Sequence, residues 1–314
     1  MNNINAYLKL CRFDHITKHL FVVPGILFAI ILVPESEFHF YKIIFGFLST
    51  FFIASANYII NEFLDRKYDK YHPIKKNREL VNTKLKKENV IIFYFIVLLL
   101  GLIIGSQINK YFFYTLIIFI LSGVIYNVKP FRFKNYIYLD VLTESFNNPI
   151  RLFLGWFMIT ESLISLPPIS IILFYWFTGA FLMSTKRLAE IRFFNKFSNK
   201  KNLINYRPNY KYYNENNLLI CTVVYLMLTS FNIAVFLLKY REELVLLYPF
   251  ITLIFCWYFY LTLKPSKSSI SPEKLYLNKY LIIFLIISLI IFLILLKVDM
   301  EIIKWLVNKT ITIN

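Results

Sequence analysis

Long apolar segments alternate with short polar connections along almost the whole chain. A helix that crosses a lipid bilayer needs roughly 20 predominantly apolar residues, and about nine segments approach or reach that length. They lie near 19–34, 42–62, 90–106, 111–127, 139–160, 168–186, 217–238, 245–263 and 280–297. The pattern predicts an all-α integral membrane protein, built as a bundle of about nine transmembrane helices.

The composition supports this class. Of the 314 residues, 58% are hydrophobic, which is more than a soluble domain carries. No connection between the apolar segments is long enough to fold as a separate soluble domain. We therefore expect a single transmembrane domain over 1–314, with cytoplasmic loops near 63–89, 128–138 and 187–216.

The basic residues are unevenly distributed among the connections. The formal net charge is +17, and most lysines and arginines lie at the N-terminus or after every second predicted span. Cytoplasmic connections of membrane proteins carry such an excess, so the N-terminus is predicted to be cytoplasmic. Because the charges are not gathered on one soluble surface, a nucleic-acid partner is not indicated. We expect the protein to reside in a bacterial inner membrane.

A polar stripe occurs at the end of the second predicted span. Asn57, Asn61, Asp65 and Asp69 recur every fourth residue, so on a helix they share one side. Acidic and amide side chains are costly near the membrane and do not help orientation, so a solvated helix end is the weaker explanation. Oxygen ligands next to cations such as Lys75 and Arg78 suit Mg²⁺ shared with a substrate diphosphate.

A second polar group follows the fourth predicted span. Asp140 and Glu144 lie one helical turn apart, and Arg151 is placed well inside an apolar segment. An intramembrane guanidinium needs an anionic partner, which is either Glu144 or a bound substrate. The connection before this helix contributes four further candidates: Tyr126, Lys129, Arg132 and Lys134.

A third group, Lys186, Arg187 and Glu190, lies at the end of the sixth predicted span. By itself the spacing of Lys186 and Glu190 indicates an ordinary ion pair on a helix surface.

With these motifs in hand, the sequence resembles the UbiA superfamily of intramembrane prenyltransferases. Asn61, Asp65 and Asp69 match the first aspartate-rich motif of that superfamily, and Asp140 with Glu144 is similar to the second, with Glu in place of the final Asp. The segment from Tyr126 to Lys134 is similar to the connection that precedes the second motif.

Within the superfamily, the chain looks most like the branch that transfers phosphoribose to polyprenyl phosphate. That likeness lies in Asp69 to Pro73, in Lys75 to Arg78, in Lys186 to Glu190 and in Lys18. The Lys129 to Arg132 segment is more similar to the quinone and chlorophyll branches. The alternative is therefore transfer of a prenyl group from a prenyl diphosphate to an aromatic acceptor.

The resemblance implies a Mg²⁺-dependent transferase that acts on a membrane lipid and a diphosphate donor at the cytoplasmic face. It implies catalytic roles for Asp65, Asp69, Asp140 and Glu144, and Mg²⁺ ligation by Asn61, Asp65, Asp69 and Asp140. The implied substrate-binding residues are Lys18, Asn57, Asn61, Lys75, Arg78, Tyr126, Lys129, Arg132, Lys134, Arg151, Lys186, Arg187 and Glu190. A transporter and a lipid-binding scaffold with a decayed site are the alternatives outside the enzymes.

Overall fold

The computed structural model describes residues 3–82, 85–264, 266 and 278–307, and within these ranges the chain is helical with no strand. The α-helices, in chain order, are α1 (Asn3–Leu10), α2 (Val23–Leu32), α3 (Phe40–Asp69), α4 (Glu79–Asn82), α5 (Lys87–Gly105), α6 (Lys110–Asn127), α7 (Leu139–Ser145), α8 (Asn147–Phe157), α9 (Ile169–Phe197), α10 (Lys200–Tyr206), α11 (Glu215–Tyr240), α12 (Tyr248–Leu263), α13 (Lys279–Leu295) and α14 (Glu301–Val307). Short 3₁₀ segments join several of them, the longest being Phe13–Val22. Residues 83–84 of the predicted loop near 63–89, and residues 265 and 267–277 between the last two predicted spans, lie outside the described residues.

The apolar segments form the expected helices. Seven stretches of the described chain are long and apolar enough to cross a membrane: Asn5–Leu32, Phe40–Asp69, Lys87–Gly105, Lys110–Asn127, Ile169–Phe197, Glu215–Tyr240 and Glu242–Leu263. The predicted span 139–160 falls on the broken pair α7 and α8, and 280–297 falls on the 17-residue α13. The all-α membrane fold is thus confirmed, while the count of nine crossings and the orientation stay predictions.

The predicted loop near 187–216 is largely helical. Helix α9 continues without interruption to Phe197, and α10 with the 3₁₀ segment Pro208–Lys211 fills most of the rest. No proline or glycine occurs between residues 187 and 197 to stop the helix, and six of those eleven side chains are apolar. Arg187 and Glu190 are therefore held on a rigid helix instead of a loop.

The largest core cluster joins α2, α3, α6 and α8. Phe112 and Leu116 of α6 pack with Leu154 and Trp156 of α8, and all four are buried. Helices α2 and α8 cross at Gly25 and Gly155, where the backbone of one helix touches that of the other. Helix α9 packs against α7, α8 and α11, and α6 packs against α3, α7 and α8. The ends of α3, α6, α7 and α9 therefore surround a common space.

Candidate active site

The space between these helix ends is a cavity of about 820 Å³. It brings together most residues that the sequence singled out: Lys18, Asn57, Asn61, Asp65, Lys75, Arg78, Tyr126, Glu144, Arg151, Lys186 and Arg187. The other six, Asp69, Lys129, Arg132, Lys134, Asp140 and Glu190, do not line it. Five of these six still lie next to the cavity, because they pair with residues at its wall. The exception is Lys129, which is exposed to solvent.

Asp65 connects α3 to the segment that follows α6. Its Oδ1 accepts from Lys134 Nζ at 2.5 Å and from Arg132 Nη2 at 2.9 Å. Arg132 reaches this position with φ of 39°, a left-handed conformation that costs a non-glycine residue about 1 kcal/mol or more. Burial lowers the pKa of the Lys134 ammonium to about 8, although the Asp65 carboxylate opposes that shift. The carboxylate is therefore held by two cations from one neighbouring segment.

The residues of the polar stripe on α3 do not all contact the same neighbouring element. The Asn57 amide donates to the Phe119 carbonyl at 3.0 Å, and the Asn61 amide donates to Asn127 Oδ1 at 2.5 Å, so both face α6. Asp69 instead pairs with Arg78 at 2.6 Å and is fully buried. Each four-residue step along a helix turns the side chain by about 40°, and three steps carry Asp69 away from the cavity.

The second acidic pair surrounds an arginine. The Arg187 guanidinium lies 2.8 Å from Asp140 Oδ2, 3.2 Å from Glu144 Oε2 and 3.2 Å from Glu190 Oε2. Tyr126 also donates its hydroxyl to Glu144 at 2.6 Å. Glu144 therefore pairs with Arg187 from α9, and the predicted alternative of a Glu144–Arg151 ion pair is wrong.

Sequence reasoning missed two residues that join the motifs. Arg207 lies 3.4 Å from Asp140 and lines a small cleft together with Asp65, so the two acidic motifs meet at one end of the bundle. Tyr213 donates its hydroxyl to Asp140 Oδ1 at 2.6 Å. Their only signal in the sequence is an unusually tyrosine-rich polar connection between residues 206 and 213.

His72 is a third missed residue, since its spacing fits no metal motif. Its Nδ1 accepts from the backbone N–H groups of Ile74 and Lys75, each at 3.2 Å, and its ring packs against Phe194 and Tyr206. Burial lowers its pKa to about 4, so the imidazole is neutral at physiological pH. It holds the turn after α3 against α9.

Some of the predicted Mg²⁺ ligands are placed to hold a metal ion, and others are not. Among the described residues, no three or more His, Cys, Asp or Glu side chains are grouped to hold a metal ion by themselves. Asp65 and Asn61 face the cavity and fit a cation that a diphosphate helps to bind. Asp69 has one buried oxygen without a partner, but it pairs with Arg78 and does not line the cavity. Both oxygens of Asp140 are already taken, by Arg187 and Tyr213, so this residue does not fit as a ligand while those contacts last.

Known protein structures share this fold. A UbiA homologue from Archaeoglobus fulgidus bound to GPP and Mg²⁺ is 20% identical, with a TM-score of 0.68 over 93% of this chain and 98% of that chain. The same homologue bound to DMAPP and Mg²⁺ gives 20% identity and 0.67 over 93% and 99%. A digeranylgeranylglyceryl phosphate synthase is 20% identical, with 0.63 over 95% and 100%. No curated protein matches the sequence.

The family model provides the assignment. The model of the UbiA prenyltransferase family matches residues 22–286, which contain both acidic motifs and the helices that carry them. The resemblance seen in the sequence is thereby confirmed at the level of the family. The chain belongs to the UbiA prenyltransferase family.

Proposed function

We propose that this protein transfers 5-phosphoribose from phosphoribosyl pyrophosphate to a membrane polyprenyl phosphate in a Mg²⁺-dependent reaction that releases pyrophosphate. The supporting observation is the charge of the cavity. Its wall contains nine basic side chains, Lys9, Arg12, Lys18, Lys75, Arg78, Arg151, Lys186, Arg187 and Arg207, against five acidic ones, Asp14, Glu62, Asp65, Glu79 and Glu144. The wall therefore has more basic than acidic side chains. This positive charge suits substrates that carry phosphate at more than one place.

The chemistry requires little covalent participation by the protein. The bond between ribose C1 and the pyrophosphate oxygen breaks, the pyrophosphate takes the electron pair, and an oxygen of the lipid phosphate forms the new bond to C1. Bound Mg²⁺ would neutralise charge on the departing pyrophosphate. Asp65 and Asn61 of the first motif would hold the metal, while Lys75, Arg78 and Lys186 at the wall would bind phosphate oxygens.

The remaining charged residues position these groups. Arg132 and Lys134 fix the Asp65 carboxylate, and Arg187 fixes Glu144 at the opposite wall. Apolar side chains such as Phe119 and Ala54 line the inner part of the cavity and would keep water from the reactive carbon. We further propose that the cavity opens to the cytoplasm of a bacterial inner membrane, since the cation-rich connections lie at the same end.

Transfer of a prenyl group from a prenyl diphosphate to an aromatic acceptor is the second candidate. It is favoured by the family and by the solved homologue that holds GPP or DMAPP with Mg²⁺. The first motif would act in the same way, because both donors release pyrophosphate. The two candidates differ in the acceptor, which is an anionic phosphate in one and an aromatic ring in the other.

A direct assay separates the candidates. Purified protein with Mg²⁺ is given either labelled phosphoribosyl pyrophosphate and polyprenyl phosphate, or labelled geranyl diphosphate and hydroxybenzoate, and the lipid extract is counted. We expect lipid product from the first pair, and we expect EDTA to abolish it. Product from the second pair alone would replace the proposal with the second candidate, and product from neither would favour a transporter or scaffold.

Asp65→Asn provides the matched test of the first motif. The change keeps the side-chain size but removes the charge, so turnover should fall by about a hundredfold or more. Glu215→Gln is the control, because Glu215 pairs with Arg192 outside the cavity. Normal turnover in Asp65→Asn would contradict the role of this motif in either reaction.

A further inference from the structure

Arg151 is a buried cation without a matching anion. It lies on α8, lines the cavity and is 8% exposed. Within the described part of the chain, its Nη1 has only two long contacts, at 3.4 Å to the Asn147 carbonyl and 3.4 Å to Asn148 Oδ1. Its Nε is buried with no hydrogen-bond partner. The other two buried guanidiniums of the cavity wall both have anionic partners: Arg187 pairs with three carboxylates, and Arg207 pairs with Asp140.

An unpaired guanidinium at this depth is unfavourable by several kcal/mol. The Phe119 ring lies 5.4 Å from the guanidinium carbon, and such a cation–π contact offsets only about 0.5–2 kcal/mol. Among the described residues, no acid forms an ion pair with Arg151 to compensate for the remainder; the predicted partner Glu144 is held by Arg187 instead. The missing negative charge must therefore come from a bound molecule.

A second cation approaches the same region from another element. Lys18 belongs to the 3₁₀ segment Phe13–Val22, lines the cavity and lies 5.4 Å from the Tyr58 ring. His15, from the same segment, also lines the cavity and has a buried Nδ1 without a partner. Donors from α8 and from the N-terminal segment thus line the same cavity.

We propose that Arg151 and Lys18 bind the phosphate headgroup of the lipid acceptor, apart from the Asp65 motif that receives the donor. This rests on the proposed function, in which the acceptor is a lipid phosphate. A planar guanidinium binds two phosphate oxygens at once, and an ammonium adds a point charge. An apolar groove of about 290 Å³, lined by Leu20, Phe21 and Phe174 among others, lies along the same 3₁₀ segment and suits the hydrocarbon chain.

Binding without turnover tests the site. The probes are farnesyl phosphate and farnesol, measured by calorimetry on the full-length protein in detergent, without donor and without Mg²⁺. Arg151→Met should weaken farnesyl phosphate binding by about ten- to a hundredfold, the range for a charged hydrogen bond, and leave farnesol unchanged. Arg151→Lys should lose less, and Lys18→Met should also weaken farnesyl phosphate only. Arg192→Met is the control, because Arg192 pairs with Glu215 outside the cavity.

The outcomes separate this inference from the proposed function. Unchanged farnesyl phosphate affinity in both Arg151→Met and Lys18→Met would overturn the inference. So would an equal loss of pyrophosphate affinity in Arg151→Met, measured in a separate titration with Mg²⁺ present. Loss of farnesyl phosphate binding without any product from phosphoribosyl pyrophosphate would uphold the site and reject the donor. Product formation with an unchanged KM for the acceptor in Arg151→Lys and Lys18→Met would uphold the function and reject the site. Should Arg151→Met fail to fold, the Arg151→Lys and Lys18→Met results decide.

Discussion

At the scale of single residues, Arg187 organises the second acidic motif. Three carboxylates from α7 and α9 converge on one guanidinium, whose five N–H donors can serve several acceptors in a fixed plane. The sequence indicated that Asp140 and Glu144 share a face, and the resemblance implied catalytic or substrate-binding roles for these two residues, for Arg187 and for Glu190. It could not indicate that they bind each other first, because Asp140 and Arg187 are 47 residues apart.

Arg187→Met should therefore destabilise the protein strongly. Removing the guanidinium leaves Asp140 and Glu190 buried without their main counter-charge, and breaking such a buried pair costs about 3–5 kcal/mol. Arg192→Met is the matched control, because Arg192 and Glu215 form a more exposed pair worth less than about 1 kcal/mol. The free energy of unfolding, measured by SDS titration in mixed micelles, reports both changes. Equal losses in the two variants would contradict the role of Arg187.

His72 should make the stability depend on pH. Its pKa is lowered by burial to about 4 in the folded protein and is near 6.5 when the chain is unfolded. Between pH 4 and pH 6.5 the unfolded chain binds a proton at this residue and the folded protein does not. The contribution of His72 to the free energy of unfolding is therefore complete above pH 6.5 and is lost as the pH falls toward 4. The slope from this residue is at most about 1.4 kcal/mol per pH unit. His72→Asn, which keeps an acceptor and does not titrate, should flatten the unfolding free energy over that window, and an unchanged slope would exclude His72.

At the scale of helices, hydropathy predicted which segments are helical but not where their polar ends go. Helix α3 runs seven residues beyond the predicted span 42–62, and α9 runs to Phe197. The stripe from Asn57 to Asp69 was predicted to share one side, yet its gradual rotation brings Asn57 against α6 and Asp69 against Arg78. The spacing of residues in the sequence shows which side chains are neighbours on one helix. Which of these side chains reach the cavity depends on the helices packed around that helix.

The crossing of α2 and α8 should be the packing contact most sensitive to small changes. A Cβ at Gly155 would lie 2.1 Å from the backbone carbonyl oxygen of Val22, and neither backbone can move alone. We expect Gly155→Ala to cost about 1–3 kcal/mol. Gly46→Ala is the control, since the atoms that its Cβ would meet belong to the flexible Met158 side chain, which can move aside. Thermal unfolding in detergent should show the larger decrease in Tm for Gly155→Ala, and a larger decrease for Gly46→Ala would contradict this reasoning.

At the scale of the whole molecule, the charge pattern predicted that both acidic motifs lie on one face of the membrane, and the resemblance to a family implied that they form one site. The alternating basic connections put the end of α3 and the start of α7 at the same end of the bundle, but no local pattern indicates that these two ends are neighbours there. The contacts of Asp65 with Lys134, and of Arg207 with Asp140, bring these ends together. Residues such as Arg207 and Tyr213 could not be predicted from spacing, because their roles exist only once α10 and the segment after it fold over α7.

The side of the membrane that the cavity faces is a separate prediction, and we expect it to be the cytoplasmic side. Basic side chains are retained at the cytoplasmic side of a membrane protein. Lys129 belongs to a basic connection at the cavity end. The connection before α9 instead contains Glu161 and Ile164, which is 97% exposed. With the native Cys11, Cys221 and Cys256 replaced by serine, Ile164→Cys should react with a membrane-impermeant maleimide in intact spheroplasts. Lys129→Cys should react only after the spheroplasts are lysed. Because both positions are exposed, a lack of access does not explain a difference between them. The reverse labelling pattern would place the cavity on the outer surface, where cytosolic phosphoribosyl pyrophosphate could not reach it.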